Sequence, residues 1–133
     1  MNIPTLSVLK LLEEKGLGKI DKDLFWEKLG LGKDGLYIES VGQAARVGER
    51  KRVNFMLYSR AKNDVAGYDR AQAAAEALSD ASVCSLPEVK NLAGTIIAGE
   101  IANINIRNVS TVNNAGQDSD GRTLWSISGQ IIY

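Results

Sequence analysis

The spacing of the apolar residues changes from helical to alternating near Gly35, and this change limits the possible folds more than any other feature. Up to about residue 30 the leucines recur at helical spacing, whereas from Gly35 onward several runs alternate apolar and polar residues. Helical spacing is typical of an amphipathic helix, and alternation is typical of a half-buried strand. The chain therefore combines helices at its beginning with strands over much of the remainder.

The first third of the sequence predicts two helices. In residues 5–15, Leu6, Leu9 and Leu12 lie at helical spacing, Thr5 or Ser7 can cap the start, and a glycine follows at position 16. A second, shorter helix is predicted over residues 20–30, with a cap residue at its start and a glycine at its end. These two residues are Asp21 and Gly30.

A third helix is indicated by the alanine-rich stretch "YDRAQAAAEALSDA", residues 68–81. Ala71, Ala74, Ala75 and Leu78 follow the i, i+3, i+4, i+7 spacing of one helix face. Alanine side chains are short, so this face can approach a sheet or another subunit closely.

Four strands are predicted after Gly35. "GLYIESVG" and "KRVNFMLYSR" form a β-hairpin, and the connection between them, residues 42–50, is predicted to be a projecting basic loop. A long strand follows in residues 94–110, with a bend or bulge at Gly99. After a polar loop, the closing strand over 123–133 places Trp125, Ile127 and Ile131 on one face.

The composition narrows the possible functions. Histidine is absent, and Cys84 is the single cysteine, so the commonest acid–base side chain and metal ligand is missing and no internal disulfide can form. The 16 basic residues balance the 16 acidic ones, which disfavours nucleic acid as the main partner. We expect a single cytosolic domain over 1–133 that is not an enzyme and uses no cofactor, metal or membrane.

Two short motifs favour ordinary loop structure over chemistry. "DSDG" at 118–121 contains only half of the oxygen ligands of a calcium loop and is predicted to be an Asx-type turn. "GLGKDG" at 30–35 lacks the P-loop spacing and precedes a strand instead of following one. Cys84 is predicted to be a buried and inert thiol, since no histidine is present to activate it.

Charge is distributed unevenly along the sequence. Residues 1–60 carry 11 basic and 8 acidic residues, a balance of +3, whereas residues 61–133 carry 5 and 8, a balance of −3. A dipolar subunit suits head-to-tail contacts between copies. Chance asymmetry on a solvated surface is the alternative interpretation, because exposed ion pairs contribute little.

Four features in this order resemble a known protein family: an N-terminal helix, the hairpin, the segment "SRAKNDVAGYDRAQAAAEAL", and the ending "DSDGRTLWSISGQIIY". Together they are similar to the tail terminator proteins of long-tailed bacteriophages, which are also known as minor tail or minor capsid proteins. The resemblance implies an α+β fold, with an antiparallel or mixed sheet of about four strands flanked by helices. Residues 17–35 match no part of the family pattern.

The family resemblance also implies a function in the virion. The protein would form a hexameric ring, cap the major tail tube protein, stop tail polymerisation and present a surface to the head-completion protein. It would be assembled in the host cytoplasm and remain at the head–tail junction. Other head–tail connector components, such as an adaptor or stopper, a non-phage α+β interaction domain, and an enzyme with a Lys or Glu base remain alternatives.

The two long charged connections, residues 43–52 and 112–122, are the predicted contact regions, because loops commonly carry recognition. Trp125 is predicted to be a core or edge residue that could also anchor an interface. The candidate subunit or partner interface consists of Arg46, Arg50, Lys51, Arg52, Asp118, Asp120, Arg122 and Trp125.

Overall fold

The computed structural model describes residues 3–29, 33–48 and 50–133, and the side chains of residues 42–45 and 47 are not described. The elements, in chain order, are α1 (Pro4–Glu14), β1 (Leu24–Trp26), β2 (Gly35–Val47), β3 (Arg50–Ala61), α2 (Asp64–Asp80), β4 (Val83–Leu86), β5 (Val89–Lys90), β6 (Ile96–Ala98), β7 (Ile101–Arg107), β8 (Asn113–Gln117) and β9 (Thr123–Ile132). No helix in the described ranges is long and apolar enough to cross a membrane.

Most of the structure is a single curled sheet. Seven strands pair in the order β1-β2-β3-β9-β7-β4, with β8 added along β9, and β5 and β6 form a separate small hairpin. All pairs in the large sheet are antiparallel except β1 with β2. The predicted fold, a sheet of about four strands flanked by helices, is therefore wrong. The chain is 45% strand and 23% helix, and the sheet is a mixed half-barrel of six to seven strands.

Both helices pack against the sheet through one shared core. Leu9 and Leu12 of α1 and Leu78 of α2 belong to the same buried cluster as Phe55 of β3 and Ile127 of β9. The sheet is curled, so side chains from its central strands and from both helices meet in a single apolar interior. This explains why strands outnumber helices although the helical spacing is clear in the sequence.

The first predicted helix and the alanine-rich helix are confirmed. α1 ends before Gly16, which has φ +82, but neither Thr5 nor Ser7 caps its start, because the helix begins at Pro4. α2 begins earlier than predicted, where the Asn63 side chain accepts a hydrogen bond from the backbone N–H of Ala66 at 2.9 Å. Its alanine face is buried, as its spacing predicts.

The second predicted helix is wrong. Residues 24–26 form the short strand β1, which pairs in parallel with residues 36–38 of β2. The backbone on each side has positive φ, 69° at Asp21 and 70° at Glu27, and these values are incompatible with a right-handed helix. Pairing with β2 therefore overrides a weak local helical pattern. The predicted helix stop at Gly30 lies outside the described residues.

The hairpin is confirmed, but the projecting loop predicted over residues 42–50 is wrong. β2 continues to Val47 and β3 begins at Arg50, so most of the predicted loop is strand, and residues 45–47 pair with residues 50–52. The register shifts between Val41 and Ala45, which marks an irregularity in β2. Such bulges allow a long hairpin to bend, and the sequence pattern does not reveal them.

The strands predicted in the last third are present, and the bend predicted at Gly99 is confirmed, since β6 ends at Ala98 and β7 begins at Ile101. Two features of this region differ from the prediction. A second irregularity lies at Asn103, with φ 56, so that Ile101 is buried together with Ile104. The polar loop before the closing strand contains β8, whose residues are all exposed.

The closing strand β9 lies at the centre of the sheet. It pairs with β3 along its length and, on its other edge, with β8 and then β7. Ile127 and Ile131 are buried, as the alternation predicts. Gly129 lies opposite Phe55, and a Cβ at position 129 would come within 2.5 Å of the phenyl ring. Glycine is required here because the ring fills the space beside the backbone.

Candidate interaction surfaces

The far end of the β2–β3 hairpin carries four cationic residues. Arg46, Arg50 and Lys51 are exposed, and Arg52 is partly exposed. Arg46 lies directly opposite Lys51 in the strand register. We call Arg46, Arg50, Lys51 and Arg52 the cationic hairpin end. The structure thus brings together the four basic residues that the sequence singled out, on paired strands instead of a loop.

The position of this hairpin end is fixed by backbone contacts. Lys51 and Tyr133 exchange two backbone hydrogen bonds of 2.8 and 2.9 Å, and the Lys51 ammonium lies 6.0 Å from the centre of the Tyr133 ring. The Arg50 guanidinium donates to the carbonyl oxygen of Asn103. Within the described residues, none of the four cations forms an ion pair with a carboxylate. No carboxylate of the described residues therefore neutralises their charge.

The predicted Asx-type turn at residues 118–121 is confirmed. The Asp118 carboxylate accepts hydrogen bonds from the backbone N–H of Asp120 at 3.0 Å and of Arg122 at 2.9 Å. Gly121 has φ +79, which glycine adopts without strain. The carboxylate of Asp118 therefore closes the turn.

The same turn is joined to the base of the hairpin by ion pairs. Arg122 lies 2.8 Å from Asp34 and also contacts Asp120, and the Arg60 side chain lies 3.6 Å from Asp118. Desolvation would raise the pKa of Asp118. The two backbone hydrogen bonds and the neighbouring arginines outweigh it, so the pKa lies below its usual value. These residues connect three chain segments.

The predicted interface residues therefore form two separate sites. Both sites include a residue of β3. Arg60, which pairs with Asp118, lies eight residues after Arg52 of the cationic hairpin end. This separation corresponds to roughly 27 Å along an extended strand. Charged residues at 118, 120 and 122 are paired with each other or with the hairpin base, whereas Arg46, Arg50, Lys51 and Arg52 form no ion pair within the described ranges.

Trp125 packs against helix α2. Its ring lies 5.3 Å from that of Tyr68 in an edge-to-face arrangement, and it packs closely against Gly67 of α2. The indole N–H is buried and reaches no acceptor among the described residues. These contacts support the packing role predicted for Trp125, and its use as an interface anchor stays a prediction, since the residue is partly exposed.

An apolar groove, which the sequence did not predict, lies beside α1, β1 and the β5–β6 hairpin. It has a volume of about 880 Å³. Trp26 is 42% exposed in it and donates its indole N–H to Thr5 Oγ1 at 2.9 Å, and Leu92 is completely exposed. Its other apolar lining residues are Ile3, Leu6, Ile20, Phe25, Val89, Ala93 and Ile97. The incorrect helix over 20–30 concealed this site, because residues 24–26 form a strand that leaves Trp26 exposed.

The outward face of α2 is acidic. Asp69, Glu76 and Asp80 are exposed, and Val65 and Tyr68 add apolar surface near the start of the helix. Cys84 is half-buried, and burial raises the pKa of its thiol although Lys15 offsets part of the rise. In the part of the chain that the structure describes, no group of three or more His, Cys, Asp or Glu residues is arranged to hold a metal ion.

A scan against models of known protein families finds no match to this chain. A search of curated proteins finds no significantly similar sequence.

Proposed function

We propose that this chain is a structural protein of a bacteriophage tail, which assembles as a ring on the end of the tail tube, stops its polymerisation and provides the surface for joining to the head. The observation that carries the proposal is the cationic hairpin end. It concentrates like charges on one rigid edge of the sheet, and this arrangement favours a protein partner over an isolated subunit.

The energetic argument concerns the pair Arg46 and Lys51. Like charges directly opposite each other on neighbouring strands destabilise the pairing by a few tenths to about 1 kcal/mol. No acidic side chain among the described residues offsets this repulsion. An anionic protein surface placed against the hairpin end would remove it and gain attraction instead. The arrangement is thus unfavourable in the free subunit and favourable in an assembly.

A second surface supports a connecting role. The apolar groove lies next to β1, which pairs with residues 36–38 at the opposite end of β2 from Arg46. Exposed apolar patches of this kind mark contact sites more often than the rest of the protein surface does. Trp26 and Leu92 are large side chains of the type that anchor interfaces. A ring subunit needs contact surfaces of different chemistry, and the apolar groove and the cationic hairpin end differ in this way.

Tube growth provides the mechanism. A tube lengthens because each ring of the major tail tube protein presents the same binding surface to the next ring. A cap ends growth when one of its faces binds the last ring and its other face does not reproduce that surface. The proposed ring would have this property, because each copy would turn its apolar groove toward one face of the ring and a surface of different chemistry toward the other.

The test is the length distribution of tubes. Purified chain is added to tubes that polymerise from the major tail tube protein of the same phage, and lengths are measured by negative-stain electron microscopy. We expect the chain to stop growth, and Arg46→Glu together with Lys51→Glu to lose this effect. The matched control is Lys22→Glu together with Lys62→Glu, two exposed charge reversals outside the cationic hairpin end. Unchanged tube lengths with the wild-type chain would refute the function.

The alternatives give different results in the same experiment. An adaptor or stopper would leave tube length unchanged, and its loss would instead prevent joining of filled heads to finished tails. A non-phage interaction domain would affect neither step.

A further inference from the structure

The exposed face of α2 carries a row of carboxylates with no cationic partner. Asp69, Glu76 and Asp80 are exposed, and among the described residues none of them is in an ion pair. Glu76 accepts one hydrogen bond, of 3.2 Å, from the side-chain amide of Gln72. Asp64, at the start of the helix, is occupied by a 2.6 Å hydrogen bond from Thr123.

Helical geometry places these three carboxylates in one line. Positions 69, 76 and 80 are related by i, i+7 and i+11, so they deviate by only about 20° from a common direction along the helix. The line is roughly 16 Å long, given a rise of about 1.5 Å per residue. We call Asp69, Glu76 and Asp80 the acidic stripe.

The acidic stripe is opposite in sign to the cationic hairpin end, with three carboxylates against four basic side chains. Arg46 and Lys51 lie opposite each other in the register and so share one face of the hairpin, whereas Arg50 and Arg52 alternate to the other face. The Arg46–Lys51 pair is therefore the part of the hairpin end that can face the stripe. In the described part of the subunit no ion pair joins the two sets.

We infer that the cationic hairpin end of one copy docks on the acidic stripe of the next copy. The inference rests on the proposed function, since it specifies the contact that would build the ring. Because two different patches meet, the contact is heterologous, and repetition of a heterologous contact produces a closed ring or an open helix instead of a twofold dimer. Val65 and Tyr68 lie on the same helix and supply apolar area beside the charges.

The experiment is a charge exchange between two variants. One variant carries Arg46→Glu and Lys51→Glu, so that the hairpin face that holds this cross-strand pair becomes acidic like the stripe. The other carries Asp69→Lys and Glu76→Lys, so that two of the three stripe positions become basic like the hairpin end. Sedimentation velocity measures assembly of each variant alone and of an equimolar mixture. We expect each variant alone to assemble at least about tenfold more weakly than the wild-type chain, because like charges then face each other across the contact. The mixture should recover assembly, since each acidic surface meets a basic one.

Two controls accompany the exchange. Lys22→Glu with Lys62→Glu changes the net charge by the same amount as Arg46→Glu with Lys51→Glu, but at exposed positions outside both surfaces. This control should assemble like the wild-type chain. Urea unfolding of every variant, monitored by circular dichroism, verifies that loss of assembly is not loss of folding.

The outcomes separate this inference from the proposed function. If the wild-type chain forms rings or caps tubes while both charge variants assemble normally, or while the mixture fails to recover, the inference is wrong and the function stands. If the wild-type chain neither assembles nor binds tube ends, both are wrong. Binding of labelled duplex DNA that is lost in the Arg46→Glu, Lys51→Glu variant, with assembly unaffected, would assign the hairpin end to a polyanion and overturn the inference.

Discussion

Replacement of Arg46 by glutamate should stabilise the isolated subunit. In the register, Arg46 lies opposite Lys51, and both side chains are exposed. The substitution converts a like-charge pair into an opposite-charge pair. Arg46 has no ion pair among the described residues that the change would break. The expected effect is therefore opposite to that of most substitutions, which reduce the free energy of unfolding.

The magnitude follows from Coulomb's law. Two unit charges about 6 Å apart in a water-like dielectric interact with about 0.7 kcal/mol, so a change of sign is worth at most about 1.4 kcal/mol. Screening by salt and loss of side-chain freedom reduce this value, and we expect a gain of about 0.5–1 kcal/mol. Arg46→Gln removes the repulsion without adding attraction, so it should give about half of the gain.

Urea unfolding at low micromolar concentration measures this effect. The midpoint should rise in the order wild type, Arg46→Gln, Arg46→Glu, with an unchanged m-value. The measurement must be independent of protein concentration, because assembly would add to apparent stability. At 1 M salt the Debye length falls to about 3 Å and the differences should almost disappear. A lower midpoint for Arg46→Glu, or a gain that salt does not reduce, would refute the reasoning.

Three further predictions concern other parts of the molecule. Gly129→Ala should lower the free energy of unfolding by about 1–3 kcal/mol, because the new Cβ would overlap the Phe55 ring, and by less in a Phe55→Leu background. Leu92→Asp should change the urea midpoint little, since this side chain is fully exposed, but should weaken binding to tube ends or to the head-completion protein. Asp118→Asn should lower the melting temperature at neutral pH, and the difference from wild type should close as pH falls below about 4.

The sign of the last prediction follows from linkage. The pKa of Asp118 is lowered in the folded state. Its contribution to the free energy of unfolding is therefore complete above the unfolded-state pKa of about 3.9, and it is lost as the pH falls through the folded-state pKa. A difference in melting temperature between Asp118→Asn and the wild type that persists at pH 2 would contradict this prediction. Equal costs of Gly129→Ala in both backgrounds would contradict the packing argument, and unchanged binding by Leu92→Asp would remove the groove from the contact.

The sequence predicts the elements whose pattern is strong and local. The leucine spacing of α1, the alanine face of α2 and the alternation around Ile127 and Ile131 all agree with the structure. In each case the periodicity coincides with burial against one core, so local pattern and tertiary packing favour the same result.

The failures have a common physical cause, which is pairing between distant segments. Residues 24–26 have no strong strand pattern, and they become β1 because residues 36–38 offer an unpaired edge. Strand pairing likewise extends β2 and β3 into the predicted basic loop, and adds β8 to an exposed polar segment. Long-range pairs of this kind account for the extra strands of the half-barrel, and periodicity within one segment cannot reveal them.

The candidate site was predicted in part. The sequence predicted that the four cations cluster, because they lie close together along the chain. Pairing of Asp118, Asp120 and Arg122 with Asp34 and Arg60 was not, because it depends on segments far apart in the chain. The apolar groove was missed for the same reason, since it forms only where β1 and the β5–β6 hairpin meet α1.

The most direct test of the central claim is the length of tail tubes polymerised with and without the purified chain, with their ends imaged by electron microscopy. The proposal predicts that tubes stop growing when the chain is present and that a ring of additional density lies at one end. Tubes of unchanged length with bare ends would contradict it.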